Sequence, residues 1–316
     1  MTGPWLGLDV GGTKTLAVVV SPDGKEVLAT RRALTPSDEG PEAVCGYSIA
    51  LGRELAEEVG GVHGVGVGFA GLVDHKSGVV HSSIILPGWD GFPLADRIAG
   101  GFDQPCTIDN DATAAGFGEW IALGAPPDLN MVVLTIGTGI GGAIMIDGAI
   151  YRGRSNTSAE FGNTTIDWNG SECVSGNRGS LNTLASGTAL CRRATELASE
   201  RESSLRRNGE RITGEEIAGA AAAGDSVAIQ AIDEVARALG AGVSNIVNIF
   251  NPDRVVLTGG VCNLGAGYLA KVTTESRGRA FGINSEHAMI AFSSHGDFAC
   301  AHGAACLARA ASGEFR

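Results

Sequence analysis

The stretch IDNDATAAGFGEW, residues 108–120, holds the side chains best suited to acid–base chemistry. Asn110 and Asp111 follow an apolar run of strand character and precede a helical pattern, so a carboxylate at 111 would project into a cleft and take a proton from an attacking hydroxyl. Capping of the helix by Asp111 is the competing reading. In LDVGGTKT, Asp9 ends another apolar run and is followed by Gly11, Gly12, Thr13 and Lys14. Glycines let backbone N–H groups approach an anion, Thr13 and Lys14 add donors, and a carboxylate at 9 can hold a hydrated divalent cation. An ordinary hairpin turn would use the same residues, and the G-x-x-x-x-G-K-[ST] pattern of a Walker loop is absent. A second turn of the same kind stands in TIGTGIGG, with Gly137, Thr138 and Gly139. Two such turns facing each other would grip a polyphosphate from both sides. In VVLTGGV, Gly259 and Gly260 follow a buried strand pattern, where paired glycines leave room for a nucleoside, although packing alone would also account for them.

These residues need a scaffold of alternating strands and helices. The opening LGLDVGGTKTLAVVVSPDGKEVLATRRAL reads as three antiparallel strands joined by Gly-Gly and Asp-Gly turns. An amphipathic helix follows over residues 41–59, then a strand at 61–71, a hairpin or loop through GVVHSSIILPGW, a short helix at FPLADRIAGGF and the strand PCTID. The order restarts at residue 131: MVVLTIGTGIGGAIMIDGAIYRG repeats strand, Gly/Thr turn, strand and Asp-Gly. The chain therefore reads as two related α/β halves. Thr213 with Glu216 fits a capping box, Asp225 caps the long helix that starts at Ser226, and RVVLTGG supplies a later strand. The charged RESSLRRNGER, residues 201–211, reads as a solvated loop.

Composition narrows the partners. With 316 residues, 44% hydrophobic and 18% charged, the chain suffices for about two domains. A formal net charge of -12 without a basic run argues against nucleic acid and anionic membranes as partners. No leader pattern and no run of eighteen apolar residues occurs, which predicts a cytoplasmic protein. The seven cysteines lack C-x-x-C pairing and read as reduced thiols, and the six histidines lack ligand spacing.

Taken in order, LDVGGTKT, GFAGLVD, LPGW, NDATAAGFGE, GTGIGG, AEFGN, ASGTAL, LTGGV and GDFACAHGAACLA resemble the ROK family of bacterial sugar kinases and sugar-responsive repressors over almost the whole chain. The resemblance implies two ribonuclease-H-like (actin-like ATPase) α/β domains around a central cleft. It places a small domain at 1–115, completed by a C-terminal helix at 298–316, and a large domain at 116–297. It implies ATP and Mg2+ as cofactors, phosphorylation of a hexose 6-hydroxyl, and a homodimer or homotetramer. Asp111 would be the general base, and Gly71, Asn110 and Glu160 would hold ring hydroxyls. Asp9 would face the Mg2+, while Gly11, Gly12, Thr13, Lys14, Gly137, Thr138, Gly139, Gly259 and Gly260 would line the nucleotide.

Relatives with a structural zinc carry E-x-G-H and then C-x-C-G-x-x-G-C-x-E. The same register here reads Glu160, Asn163, Cys173, Ser175, Gly176, Gly179, Ser180 and Asn182. One thiol with hydroxyls and amides falls short of a four-ligand site, so no zinc is expected and the loop must rely on Ser and Asn hydrogen bonds and turn glycines. Asn163 and Asn182 replace an imidazole and a carboxylate that help recognise the sugar in the family. That change puts glucose specificity in question and leaves two readings, a pocket that takes glucose or one that favours an amino-hexose such as kanosamine or glucosamine, with an N-acylmannosamine as the alternative acceptor. A sugar-responsive repressor is disfavoured, because the first strand begins near the fifth residue and leaves no room for a helix-turn-helix before it. A non-catalytic sugar sensor is the other alternative; Asp9, Asn110, Asp111 and Glu160 all stand against it.

Overall fold

The computed structural model describes residues 3–206 and 212–313. Part of the expected loop at 201–211, namely 207–211, and the last residues of the expected 298–316 helix segment, 314–316, lie outside the described residues.

Alternation along the first strands sets up two packed faces. The meander β1 (Trp5–Val10), β2 (Lys14–Val20) and β3 (Val27–Leu34) is antiparallel. Leu6, Leu8 and Val10 enter one core with residues of α1 (Pro41–Glu58), while Gly7 and Asp9 alternate onto the opposite face. Next come β4 (Val65–Phe69), the hairpin β5 (Leu72–Asp74) and β6 (Val79–Ser82), α2 (Leu94–Phe102), β7 (Cys106–Asn110) and α3 (Asp111–Ala122). The first sheet has the order β3-β2-β1-β4-β7, with β1, β4 and β7 parallel.

A second sheet repeats that order. Its strands are β8 (Met131–Ile136), β9 (Ile140–Ile146), β10 (Ala149–Ile150), β11 (Arg254–Thr258) and β12 (Met289–Phe292), arranged β10-β9-β8-β11-β12 with β8, β11 and β12 parallel. Between β10 and β11 lie α4 (Leu181–Ala185), α5 (Gly187–Glu200), α6 (Gly214–Ala222) and α7 (Ser226–Phe250). Then come α8 (Ala266–Arg277) and α9 (Gly282–His287) before β12, and α10 (Ala299–Ala311) after it. Thr213 and Glu216 form a complete capping box on α6, and the Asp225 carboxylate accepts from the N–H groups of Val227 and Ala228 at the start of α7. The repeat inferred from GGTK and GTGIGG is thus visible as one strand order used twice.

Packing divides the described residues into two compact units, one within Met1–Leu129, Ala143–Ser158 and Ser294–Arg316, the other within Asn130–Gly142 and Ala159–Ser293. A boundary at 115 would cut α3 in its middle. The first unit runs to Leu129 instead, because α3 is bound along its length to α10: a Cβ on Gly303 would collide with the Ala114 carbonyl. The same helix lies close against β1 and β4. Side chains at Gly7 and Gly66 would collide with the carbonyls of Ala301 and Ala304. Small residues on the strands therefore let α10 approach the face that carries Asp9.

Candidate functional site

In the first unit the candidate residues meet at the carboxyl ends of three parallel strands. Asp9 on β1, Gly68 on β4 and Asp109 on β7 are level in register, so Asn110 and Asp111 leave the sheet beside Asp9. Asn110, rather than Asp111, caps α3. Its Oδ1 accepts from the N–H groups of Ala112 (3.0 Å) and Thr113 (3.1 Å). Its Nδ2 donates to the Gly71 carbonyl at 3.2 Å and to Asp111 Oδ1 at 2.9 Å. Asp111 Oδ1 also accepts from Ala112 N at 2.8 Å. One amide thus gathers Gly71, the helix start and the carboxylate.

Gly71 has no room for a side chain, since a Cβ would stand 2.6 Å from the Ser82 carbonyl. Ser83 Oγ donates to the Ala70 carbonyl at 2.7 Å and accepts from Leu86 N at 3.0 Å, which ties the exposed Ile84 and Ile85 to the same place. Gly12 lies beside Ile85, where a Cβ would be 3.3 Å from its carbonyl oxygen. The turn at 11–14 is closed by Gly11 N donating to the Lys14 carbonyl at 3.2 Å, and Thr13 and Lys14 are exposed.

Charge is concentrated at this place. Burial pushes the Asp9 carboxyl up to about 7, the charges of Asp111 and then Asp297 push in the same direction, and a hydrogen bond from the Cys300 thiol opposes them. Burial, and after it the charges of Asp9 and Asp111, hold the Cys300 thiol far above the ordinary thiol range. Cys300 falls inside the closing motif GDFACAHGAACLA without a role read for it, and Arg152, the partner of Asp109, falls in none of the motifs that carry the family resemblance. For Cys300 the signal is a glycine at 68, which leaves the space that its Sγ fills.

In the second unit the glycine turns and the asparagines form one connected path. Gly137 N donates to the Gly139 carbonyl at 2.9 Å, while the carbonyls of Gly137 and Thr138 accept from Gly187 N and Thr188 Oγ1, both at 2.8 Å. Thus ASGTAL, at the start of α5, braces the turn. Gly259 has φ 95° and would place a Cβ 2.6 Å from the Ile136 carbonyl, so only glycine brings the end of β11 this close to the turn. A side chain at Gly137 or Gly260 would meet nothing within 4 Å. Asn182 Oδ1 accepts from Ile140 N at 2.6 Å, its Nδ2 donates to Asn163 Oδ1 at 3.4 Å, and Asn163 Nδ2 donates to Glu160 Oε2 at 3.1 Å. Desolvation by the surrounding segment raises the Glu160 carboxyl above its ordinary range, against the Asn163 amide, although the residue as a whole is exposed.

The Cys173 loop is closed by hydrogen bonds. Cys173 N donates to the Asn177 carbonyl at 2.6 Å and Gly179 N to the Ser171 carbonyl at 2.8 Å. Asn177 Nδ2 donates to the Asn163 carbonyl at 2.6 Å and to Thr165 Oγ1 at 3.0 Å. Ser180, in the place of a thiolate, caps α4 through Thr183 N. Burial raises the Cys173 thiol, but the Ser175 N–H together with the hydroxyls of Ser180 and Ser175 outweighs it and lowers the thiol below its ordinary value.

The residues present fit some of the implied groups and not others. The open space above Gly137 and Gly260 suits an extended polyphosphate and its nucleoside. Asp9, desolvated beside Asp111, is a carboxylate that a cation would relieve, and Mg2+ characteristically takes one or two carboxylates plus substrate phosphates. The Cys173 loop does not fit zinc, because a lone thiolate with hydroxyl and amide neighbours is not a tetrahedral N/S donor set. Among the described residues no group of three or more His, Cys, Asp or Glu is placed to hold a metal ion. Among them, too, no helix is long and apolar enough to cross a membrane.

Two sheets of one repeated strand order, each with a glycine turn after its first strand, are the fold of the actin-like ATPase class. Within that class the chain belongs to the ROK family, whose model matches residues 5–311. A glucokinase of Thermotoga maritima is 34% identical over 271 residues, which is 82% of this chain and 83% of that one. A putative xylose repressor of Caldicellulosiruptor sp. is 34% identical over 253 residues, 78% of this chain and 62% of the repressor. The crystal structure of a ROK family glucokinase from Streptomyces griseus in complex with glucose and AMPPNP superposes with a TM-score of 0.85 at 32% identity, covering 98% of this chain and 100% of that one.

Proposed function

We propose that the protein is an ATP-dependent sugar kinase that transfers the γ-phosphoryl group to the 6-hydroxyl of a hexose, with Asp111 as general base. The observation that carries this reading is the Asn110 amide, which holds Gly71 and Asp111 together at the strand ends beside Asp9. Phosphoryl transfer asks little covalent chemistry of a protein; it needs an aligned acceptor, a place for its proton and neutralised phosphate charge. Asp111 takes the proton of the acceptor hydroxyl, and Asn110, Gly71 and Glu160 orient the ring. The backbone of Gly11, Gly12 and Thr13, with Lys14, and that of Gly137, Thr138 and Gly139 receive phosphates, and Gly259 and Gly260 leave room for the nucleoside. Bound Mg2+ supplies charge neutralisation on the phosphates, and Asp9 is the side chain that would hold it.

Within this class the favoured acceptor is an amino-hexose such as glucosamine or kanosamine. Glu160 is partnered by the neutral amide of Asn163, which leaves the carboxylate suited to a substrate ammonium. A coupled ADP-release assay over glucose, glucosamine, kanosamine and N-acetylmannosamine tests the reading. The highest kcat/KM is expected on an amino-hexose. A preference for N-acetylmannosamine would assign the second acceptor class, and sugar binding without any turnover would make the protein a non-catalytic sensor. The Cys173 loop holds no zinc, and near-stoichiometric zinc in elemental analysis of the purified protein would refute this.

A further inference from the structure

Arg152 lies in none of the motifs that carry the family resemblance, yet both its terminal nitrogens contact the strand that leads into Asn110 and Asp111. Its Nη1 donates to Asp109 Oδ1 at 2.8 Å and its Nη2 to Asp109 Oδ2 at 2.5 Å, a two-pronged pair with Asp109 almost fully buried. The arginine side chain is only 22% exposed. Asp109 Oδ1 also accepts from the N–H of Asn110 at 2.9 Å. That N–H stands at the junction of β7 and α3, so the carboxylate fixes where the strand stops and the helix begins. Downstream of it the Asn110 side chain caps α3 and donates to Asp111 Oδ1.

The segment that carries Arg152 is itself held. Tyr151 N donates to the Ile144 carbonyl at 2.8 Å, Ser158 N to the Arg152 carbonyl at 3.3 Å, and Ser158 Oγ to the Tyr151 carbonyl at 2.6 Å. Gly153, at φ 66°, turns the chain straight after the arginine. Both ends of the guanidinium–carboxylate fork are therefore anchored in the same unit, one on a parallel strand and one on a closed loop. A planar fork fixes direction as well as charge, which a lysine ammonium does not.

We propose that Arg152 is a positioning residue for the Asn110–Asp111 pair: by holding both oxygens of Asp109 it sets the Asn110 backbone, and through it the place of the Asp111 carboxylate. The proposal rests on the reading of Asp111 as the base of a sugar kinase. A displaced base hurts the chemical step, and a shift of about 1 Å can cost on the order of a hundredfold. Nucleotide held by the glycine turns is not affected by that displacement, so the effect falls on kcat and not on the KM for ATP.

The test uses the full chain with its best hexose and three variants: Arg152→Lys, Arg152→Met, and Arg152→Met combined with Asp109→Asn. Arg152→Met should lower kcat by about tenfold or more with the KM for ATP within about twofold, and Arg152→Lys should recover part of the loss. A folded Arg152→Met protein with kcat within about twofold of wild type would overturn the proposal. Should Arg152→Met not fold, the double variant leaves no lone buried charge and keeps an oxygen for the Asn110 N–H. Its kcat is expected to remain depressed, and wild-type kcat in it would equally overturn the proposal. Wild-type protein that phosphorylates no hexose would overturn the kinase reading itself, whereas active wild type with indifferent variants refutes the role of Arg152 alone.

Discussion

Asp111→Asn separates the chemistry of this site from its architecture. The substitution keeps the shape of the side chain, and an amide oxygen can still accept from Ala112 N and Asn110 Nδ2, as the carboxylate does at 2.8 and 2.9 Å. What disappears is the charge and the capacity to take a proton. A positioned base contributes about 10²- to 10⁴-fold, which at ~1.36 kcal/mol per tenfold is about 3–5 kcal/mol of barrier. Stability should move in the opposite direction. After burial, the charge of Asp111 is the largest influence raising the Asp9 carboxyl to about 7, so removing it lets Asp9 ionise at a smaller cost. Each unit of relief is worth about 1.4 kcal/mol at a pH above both values. The assay is steady-state kcat at saturating sugar and ATP, with a thermal melt at pH 8 and binding of a non-hydrolysable ATP analogue. The expected outcome is a kcat lower by about a hundredfold or more, an unchanged or raised Tm, and analogue binding within about threefold. A kcat within about tenfold of wild type refutes the assignment of the base, and a Tm several degrees lower refutes the electrostatic argument.

Asp9 makes the apoprotein pH-sensitive. Its carboxyl is raised from 3.8 in the unfolded chain to about 7 in the fold, so the penalty is absent below about pH 4, grows as pH rises toward 7, and is complete above it. Asp9→Asn should therefore stabilise the ligand-free protein at pH 8, by up to about 4 kcal/mol, and not at pH 4. Equal gains at both pH values in urea melts would refute this. Asp225 carries the opposite sign. It accepts from Ser203 Oγ, from the N–H and hydroxyl of Ser204, and from Val227 N and Ala228 N. Burial raises its carboxyl, but these donors, those of Ser204 foremost, outweigh burial and hold it far below the carboxylate range. The stability it lends is present above about pH 4 and is lost as the pH falls below that. Asp225→Ala should cost about 1–2 kcal/mol at pH 7 in urea unfolding, and a loss under about 0.5 kcal/mol would contradict the cap.

Local pattern revealed much of this molecule because most of its elements announce themselves locally. The three antiparallel strands, α1, the capping box at Thr213 and the Asp225 cap each follow from spacing within a few residues, and the structure has all of them. The restart at residue 131 was legible for the same reason, and the repeated sheet order is its consequence. Capping of α3 by Asp111 is the reading that competes with its role as a base, and the structure gives the cap to the side chain one residue earlier. Both residue types can cap, and only the backbone at position 110, extended at φ -63° and ψ 145°, decides. The clamp from Arg152 to Asp109 joins residues 43 apart, so no local pattern could signal it. The reach of the first unit to Leu129 likewise depends on packing of α10 against α3, and the return of 143–158 to it is not marked by any break in composition.

The most direct measurement is the identity of the product. Purified protein with ATP and a glucose and amino-hexose panel, followed by 31P NMR, should yield ADP and a hexose 6-phosphate in equal amounts, with product formation suppressed by Asp111→Asn. ATP consumed without phosphate reaching the oxygen on carbon 6, or product formed as readily by Asp111→Asn, would contradict the assignment.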